Sequence, residues 1–425
     1  MTDATWEEIT LSKAPRFGVN YVPSQGWWYS WIDWDDAAII KDLEAISVLG
    51  CDHIRIQCLW PLFQPNPGFV SQAMLGRLEA LLNHAHAANL DVIVTVLNGW
   101  LSGMDFRPSW LDEKTNIFAD PVVIRAERDL ISAIADRIGR HNRFLGFDVA
   151  NEPNVLSTET KNVTSRVEGD RWITELLAHC EQVAPGKFHC VGVDHSPWLM
   201  DQRPFGRATL ANTGAVTPIH AWVFFTGALE RYGENGRGSI HLAEYMLELA
   251  KAFQEDPAKQ VWLQECGIST EWVERITPGE FVTQVLTATA TVENLWGITW
   301  WCSHDIERRL HGFAELEYDL GLLTVQNEVK PMGEQFRKMV HAIAAGEVPV
   351  ALRRHTALVL PEACTPDLDF ADAFFRLLDQ GILPAIVLEG KASDARYLET
   401  RGISTLVAFG ASDPRNSLSL SHFLG

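Results

Sequence analysis

Positive charge is scarce in this chain: 35 Lys and Arg face 55 Asp and Glu, a formal net charge of −20. Tracking a phosphate backbone or clinging to an anionic membrane needs clustered Lys and Arg, so neither nucleic acid nor a membrane surface is an expected partner. Cysteine is scarce too. The seven residues Cys51, Cys58, Cys180, Cys190, Cys266, Cys302 and Cys364 are odd in number and scattered. They offer neither a disulfide framework nor close metal-ligand spacing, and read as reduced, mostly buried thiols with no metal centre. No apolar run is long enough to span a bilayer, and the opening MTDATWEEITLSK is polar and acidic where a signal peptide has an apolar core. A cytoplasmic location is expected. Internal repeats and low-complexity tracts are missing, and no glycine-rich phosphate loop follows the first predicted strand, which removes the commonest use of an open doubly wound sheet.

Tryptophan, by contrast, is plentiful, with 16 in 425 residues. Several fall near predicted loops: Trp27, Trp28, Trp31 and Trp34, then Trp100 and Trp110, then Trp300 and Trp301. Core packing accounts for any single one. Several near strand ends suggest a cleft with flat apolar walls, suited to the faces of sugar rings.

Continuous apolar runs alternate with helical periodicity along most of the chain. Strands are predicted over 16–22, 51–60, 91–97, 144–152, 188–193, 215–225, 260–265 and 297–301. Helices are predicted between them over about 36–49, 70–90, 121–139, 171–183, 242–253 and 281–295, with a last one over about 332–345. Gly50 is a stop signal for the first, and Asp120 with Pro121 a start signal for the third. Doubly covered apolar strands imply a parallel sheet, and eight strand–helix units close a barrel, so the fold class is α/β, a (β/α)8 TIM barrel over residues 1–346. After Gly346 the pattern shifts to a small C-terminal α/β appendage over 347–425, expected to pack on the barrel at a homo-oligomeric contact.

Two of the apolar strands end in carboxylates. FLGFDVANEPN, residues 144–154, stops at Asn151, Glu152 and Pro153, and QVWLQECG, residues 260–267, stops at Glu265. The carboxyl ends of barrel strands are where such folds keep their chemistry. Strands four and seven lie three steps apart around an eight-stranded ring, so the two glutamates can face each other across its mouth. Hydrolysing a glycosidic bond needs a proton donor for the leaving oxygen and, in the retaining mechanism, a carboxylate to attack the anomeric carbon. Two close carboxylates do not ionise together easily, so one becomes the acid while a cation holds the other ionised. Arg55, late on strand two, is a candidate for that cation; an ion pair at the barrel rim is the other reading of it. Asp148, at even spacing from Glu152, reads as a buried hydrogen-bonded group. His84 and His86, two apart on a helix, do not share a face, and Cys266 points away from its neighbour Glu265.

Asn151 and Glu152 after strand four, with Glu265 after strand seven, resemble the retaining glycoside hydrolases of clan A, and residues 15–345 look like family five. The resemblance implies that Glu152 is the acid/base, Glu265 the nucleophile, Arg55 the strand-two arginine beside it and Asn151 the amide that bonds the sugar 2-hydroxyl. His220 matches the family's His-x-Tyr pair, with Trp222 where the family has tyrosine. Trp301 matches the strand-eight platform under the sugar, Trp300 exchanging with it if the strand register shifts by one. FGVNYVPSQGWWYSW, TWWCSHDIERRL and ELEYDLGLL look like the subgroup of β-mannosidases acting on the Man-β-1,4-GlcNAc unit of N-glycan cores. His304 and Asp305 then bond sugar hydroxyls or brace the long loop.

The expectation is an exo-acting β-mannosidase, without a cofactor, cleaving an oligosaccharide substrate. Its alternatives are an endo-acting β-mannanase or β-glucanase of the same clan and, from a different class, a non-catalytic barrel that only binds sugar.

Overall fold

A computed structural model describes residues 14–112, 115–158, 162–201, 203–274 and 276–410, with the backbone of Leu418–Ser419. Eight parallel strands form one sheet: β1 Arg16–Asn20, β2 His53–Gln57, β3 Asp91–Leu97, β4 Phe144–Asn151, β5 Cys190–Gly192, β6 Thr217–His220, β7 Val261–Glu265 and β8 Leu295–Trp300. Their order is β5-β4-β3-β2-β1-β8-β7-β6. The two ends of that order meet where the Ala215 N–H donates to the His189 carbonyl at 2.8 Å, giving the (β/α)8 TIM barrel. Helices follow the strands in turn: α1 Asp36–Val48, α2 Gln72–Ala87, α3 Pro121–Ile138, α4 Arg166–Val183, the short α5 Arg207–Asn212, α6 Leu242–Phe253, α7 Pro278–Ala290 and α8 Pro331–Ala344. No helix among the described residues is long and apolar enough to cross a membrane. All seven cysteines are unpaired, and six are buried.

Helix starts depart from expectation where the cap lies upstream of the periodic run. Ser165 and Glu168 form a reciprocal capping box, so α4 begins at Arg166, inside what reads as a polar loop. Thr277 and Glu280 form a second box and draw the start of α7 back to Pro278. Strand β6 is shorter than its apolar run predicts. After His220 one more bond continues the ladder, Ala221 N–H to the Glu265 carbonyl at 2.9 Å, and Trp222–Gly227 then turns away. Trp222 and Phe225 of this run therefore line the barrel mouth.

A second sheet, in the order β10-β9-β11-β12, is built from β9 Thr356–Leu360, β10 Pro384–Leu388, β11 Thr405–Ala408 and β12 Leu418–Ser419. Helices α9 Leu368–Asp379 and α10 Ala395–Thr400 accompany it. The sheet packs on α6, which is buried along nearly its whole circumference because the barrel covers one side and this segment the other. Being buried, the charges of α6 must be paired. Arg354 Nη2 bonds Glu244 Oε1 at 2.6 Å, and Glu248 receives Lys251 Nζ at 2.8 Å and Arg401 Nη2 at 3.3 Å. Burial works against an ionised Glu248, yet Lys251, Arg354 and Arg401 outweigh it and hold its carboxyl below the usual range.

Candidate active site

Because all eight strands run parallel, their carboxyl ends open on one rim, and every polar group that belongs to a strand end is delivered there. Arg55, at the centre of β2, is fully buried inside the barrel. Its guanidinium bonds Asp148 Oδ2 on β4 through Nε at 2.8 Å and Nη2 at 2.6 Å, Asn20 Oδ1 on β1 at 2.9 Å, Asn151 Oδ1 on β4 at 2.7 Å and Glu265 Oε1 on β7 at 2.6 Å. It thus lies beneath the mouth, pairing one structural carboxylate and one at the cavity floor. Burial disfavours the guanidinium, and Asp148 and Glu265 more than compensate. Asp148 is also capped by Thr95 Oγ1 at 3.1 Å and Gly192 N–H at 2.9 Å, the buried hydrogen-bonded group its spacing suggests.

Glu152 is the first residue beyond β4. Its backbone is left-handed, with φ 43° and ψ 50°, a conformation uncommon for a residue with a side chain and typical of constrained sites. Pro153 immediately opens a short helix, Pro153–Leu156. The Glu152 Oε1 atom lies 2.8 Å from His220 Nδ1, and the same nitrogen is 3.3 Å from Glu265 Oε2. One oxygen of each glutamate and a ring nitrogen of His220 all lie within 4.8 Å of one another. That separation belongs with the roughly 5–5.5 Å of retaining glycosidases and is too short for the roughly 6.5–9.5 Å of inverting ones. The same trio could in geometry hold a metal ion, but Arg55 already supplies the countercharge to Glu265, and the other His220 nitrogen is taken by Gln264 Oε1 at 2.8 Å. Only glycine fits at position 192 on β5: a Cβ there would stand 1.9 Å from Gln264 Oε1 and 2.8 Å from His220 Nε2.

Electrostatics separates the two carboxyls. Burial pushes Glu152 up to about 7, the charges of Glu265 and Asp194 adding to it and the bond to His220 opposing. His220 is itself raised: burial works against its charged form, but Glu265 and Glu152 outweigh burial and Arg55. Glu265 accepts a second hydrogen bond from Trp222 Nε1 at 3.3 Å, so the indole supplies a donor where the family has a hydroxyl.

The cavity above these groups has a volume of about 340 Å³. Asn151, Glu152, Trp222, Glu265 and Trp301 all line it. Trp300 does not exchange with Trp301; it is buried, edge-on to Phe336 of α8 with 6.4 Å between ring centroids. Arg55 and His220 lie behind the lining, and three further expected binding residues, Trp110, His304 and Asp305, are not part of it either. Trp110 packs edge-on against Trp60 and spends its indole N–H on the Gln64 carbonyl at 3.0 Å. His304 is buried between the Val22 carbonyl at 3.1 Å and Asn327 Oδ1 at 2.8 Å. Asp305 accepts from Gly321 N–H at 3.0 Å and Lys330 Nζ at 2.7 Å. The last two therefore brace the long connection after β8. Residues that sequence reasoning did not single out also line it, among them Ser102, Asp194, His195, Phe225 and Glu317. Asp194 and His195 lie two and three residues past the end of β5, a position that could have flagged them. A larger surface groove between α3 and α4 contains Arg125, Arg128 and Glu175 but no paired carboxylates at strand ends.

A barrel whose mouth holds two glutamates at this separation, one raised and one clamped by arginine, has the layout of a glycoside hydrolase. A family model described as Cellulase (glycosyl hydrolase family 5) matches residues 13–185. Among solved structures, GH5_18 from Streptomyces cattleya in complex with GlcNAc is 37% identical with a TM-score of 0.90, over 95% of this chain and 99% of that one. A variant of it in complex with Manβ1-4GlcNAc gives 37% identity and 0.90 over 95% and 100%. A GH5_18 variant from Bifidobacterium longum subsp. longum, also in complex with Manβ1-4GlcNAc, is 32% identical with a TM-score of 0.86, over 95% and 97%. No match was found among curated protein sequences. The chain belongs to glycosyl hydrolase family 5 and is a retaining enzyme of that family.

Proposed function

We propose that the protein is an exo-acting β-mannosidase that releases mannose from β-1,4-linked manno-oligosaccharides such as Man-β-1,4-GlcNAc. The observation that carries the reading is the division of labour between the two glutamates. Glu265, paired with Arg55 and bonded by Trp222, attacks the anomeric carbon. Glu152, raised to about 7, gives its proton to the leaving oxygen. The bond from sugar to leaving group breaks and a covalent glycosyl–Glu265 ester forms. Glu152, now a carboxylate, takes a proton from water, which attacks the same carbon and frees Glu265. Asn151 spends its Oδ1 on Arg55 and one amide hydrogen on the Trp100 carbonyl at 2.9 Å, leaving its second amide hydrogen for the sugar 2-hydroxyl. Trp301 offers an apolar face to the ring.

The mannose assignment is supported by the Manβ1-4GlcNAc held by the relatives at 37% and 32% identity. Exo action is supported by a cavity of about 340 Å³, room for little more than a disaccharide. The test is a screen of aryl β-mannoside, β-glucoside and β-galactoside beside Man-β-1,4-GlcNAc, followed by product analysis on a long mannan. Mannose as sole early product is expected. Oligosaccharide products would make it an endo-acting mannanase, preference for the glucoside a β-glucanase or β-glucosidase, and turnover of no glycoside a sugar-binding barrel.

A further inference from the structure

The mouth of the barrel is closed on one side by three loops that hold one another. Trp27, in the loop after β1, meets Phe106 of the loop after β3 with centroids 5.6 Å apart and Phe313 of the connection after β8 at 5.1 Å. Phe313 in turn meets Tyr318 edge-on at 5.8 Å, and the Tyr318 hydroxyl bonds the Leu310 carbonyl at 2.6 Å. Such tilted and edge-to-face aromatic contacts are cohesive. Soon after Phe313 the chain makes a tight turn, Glu315–Asp319, whose last residue is pinned by Lys330 Nζ to its carbonyl at 3.0 Å and to Oδ1 at 3.1 Å. Glu317 is the middle of that turn and lines the cavity together with Ser102, Gly103 and Leu316. Ser102 and Gly103 have φ of 49° and 79°, the two positive values of a primed hairpin turn between Trp100–Leu101 and Met104–Asp105.

The direction of the cleft follows from the two catalytic candidates. A leaving group must reach Glu152 on β4, so it extends toward the loops after β4, β5 and β6, where Val155, Asp194, His195 and Phe225 line the cavity. The sugar that is attacked lies on the other half, toward Trp301 and the three-loop clasp. There Glu317 has no Lys, Arg or His partner among the described residues, although it is buried enough to be pushed up to about 7, Ser102 opposing and the charges of Glu265 and Glu152 adding. A desolvated carboxyl facing a cavity is costly unless something in the cavity bonds it. A sugar hydroxyl both donates and accepts, and so satisfies either protonation state.

We infer that Glu317 is a specificity-determining residue: its carboxyl bonds a hydroxyl of the terminal sugar, and the turn carrying it fills the space a further sugar on that side would occupy. This rests on the exo-glycosidase reading above and deepens it, naming the group that recognises the chain end. Glu317 sits outside the Glu152–Glu265 chemistry and contributes through the binding of one hydroxyl.

The test compares wild type, Glu317→Gln and Glu317→Ala on the aryl β-glycoside the wild type hydrolyses best and on that glycoside's mono-deoxy analogues at each ring hydroxyl. A wrong sugar in the proposed function then shows up in the wild-type choice of substrate, separately from this experiment. Loss of a hydrogen bond to a carboxyl predicts a fall of about 10- to 100-fold in kcat/KM on the parent glycoside for Glu317→Ala. One deoxy analogue, already slow with wild type, should be slowed no further, because the bond is missing from both sides. Glu317→Gln keeps the shape of the turn and should give the same selective pattern with a smaller loss, so the result stands even if the alanine variant fails to fold. An equal loss on every analogue, or no loss on the parent, overturns the proposal.

Discussion

The indole nitrogen of Trp222 donates to Glu265 Oε2 at 3.3 Å, on the opposite side of that carboxylate from Arg55. The family places a tyrosine at this point in the resemblance, so this chain keeps the hydrogen bond and changes the group that makes it. Trp222→Phe retains a flat ring and removes the donor. Its kcat is expected to fall about tenfold, the value of one hydrogen bond to a charged acceptor, and steady-state kinetics on an aryl glycoside would measure it.

A second expectation concerns pH. Glu152 donates only while protonated, and its carboxyl is raised to about 7 by burial and by Glu265. The sign follows: kcat/KM is retained below that value and declines as pH rises through about 7, in the free enzyme. His220 opposes the shift through its bond to Oε1 at 2.8 Å, so His220→Asn should move this alkaline limb upward. A profile of kcat/KM flat well above neutrality would remove Glu152 as the donor.

Replacing the glutamates separates their roles by leaving group. Glu152→Gln should lose about 10²- to 10⁴-fold on substrates with poor leaving groups and much less on activated aryl glycosides, which need no proton to depart. Glu265→Ala should be inactive on both. Full activity of the Glu265 variant, measured on the aryl substrate after checking for contaminating wild type, would sink the assignment.

Far from the cavity, Arg354 lies buried against Glu244 at 2.6 Å and near Glu248 at 3.3 Å. Removing one partner of a buried ion pair strands the other charge, so Arg354→Ala should cost about 3–5 kcal/mol of stability. Chemical denaturation would register the loss, while kcat at low temperature should stay near that of wild type.

Much of the barrel was legible because its strands are apolar on both faces. Asp91–Leu97 and Val261–Glu265 announce themselves by continuity alone, and Glu152 and Glu265 stand out as carboxylates that end such runs. Where a polar cap set the boundary, as at Ser165 and Thr277, periodicity placed the start too late. Trp222–Phe225 reads as strand because local apolarity does not say whether it faces a core or a cavity. Glu317 was out of reach for another reason: in a run such as ELEYD it looks like a solvated acid, and only loops distant in sequence enclose it. His304 and Asp305 had two readings, and the nearby partners Asn327 and Lys330 account for their polar atoms by bracing.

The helix that follows the strand of His220 is wrapped on both sides, and two of its carboxylates, Glu244 and Glu248, are neutralised by arginines from beyond residue 350. A chain cut at Gly346 would thus uncover an apolar helix face and strip Glu244 and Glu248 of their arginines, leaving them only His241 and Lys251, the surface of a protein that precipitates. Cloning the catalytic portion alone would yield a broken enzyme, and swapping this tail between relatives would require exchanging α6 with it.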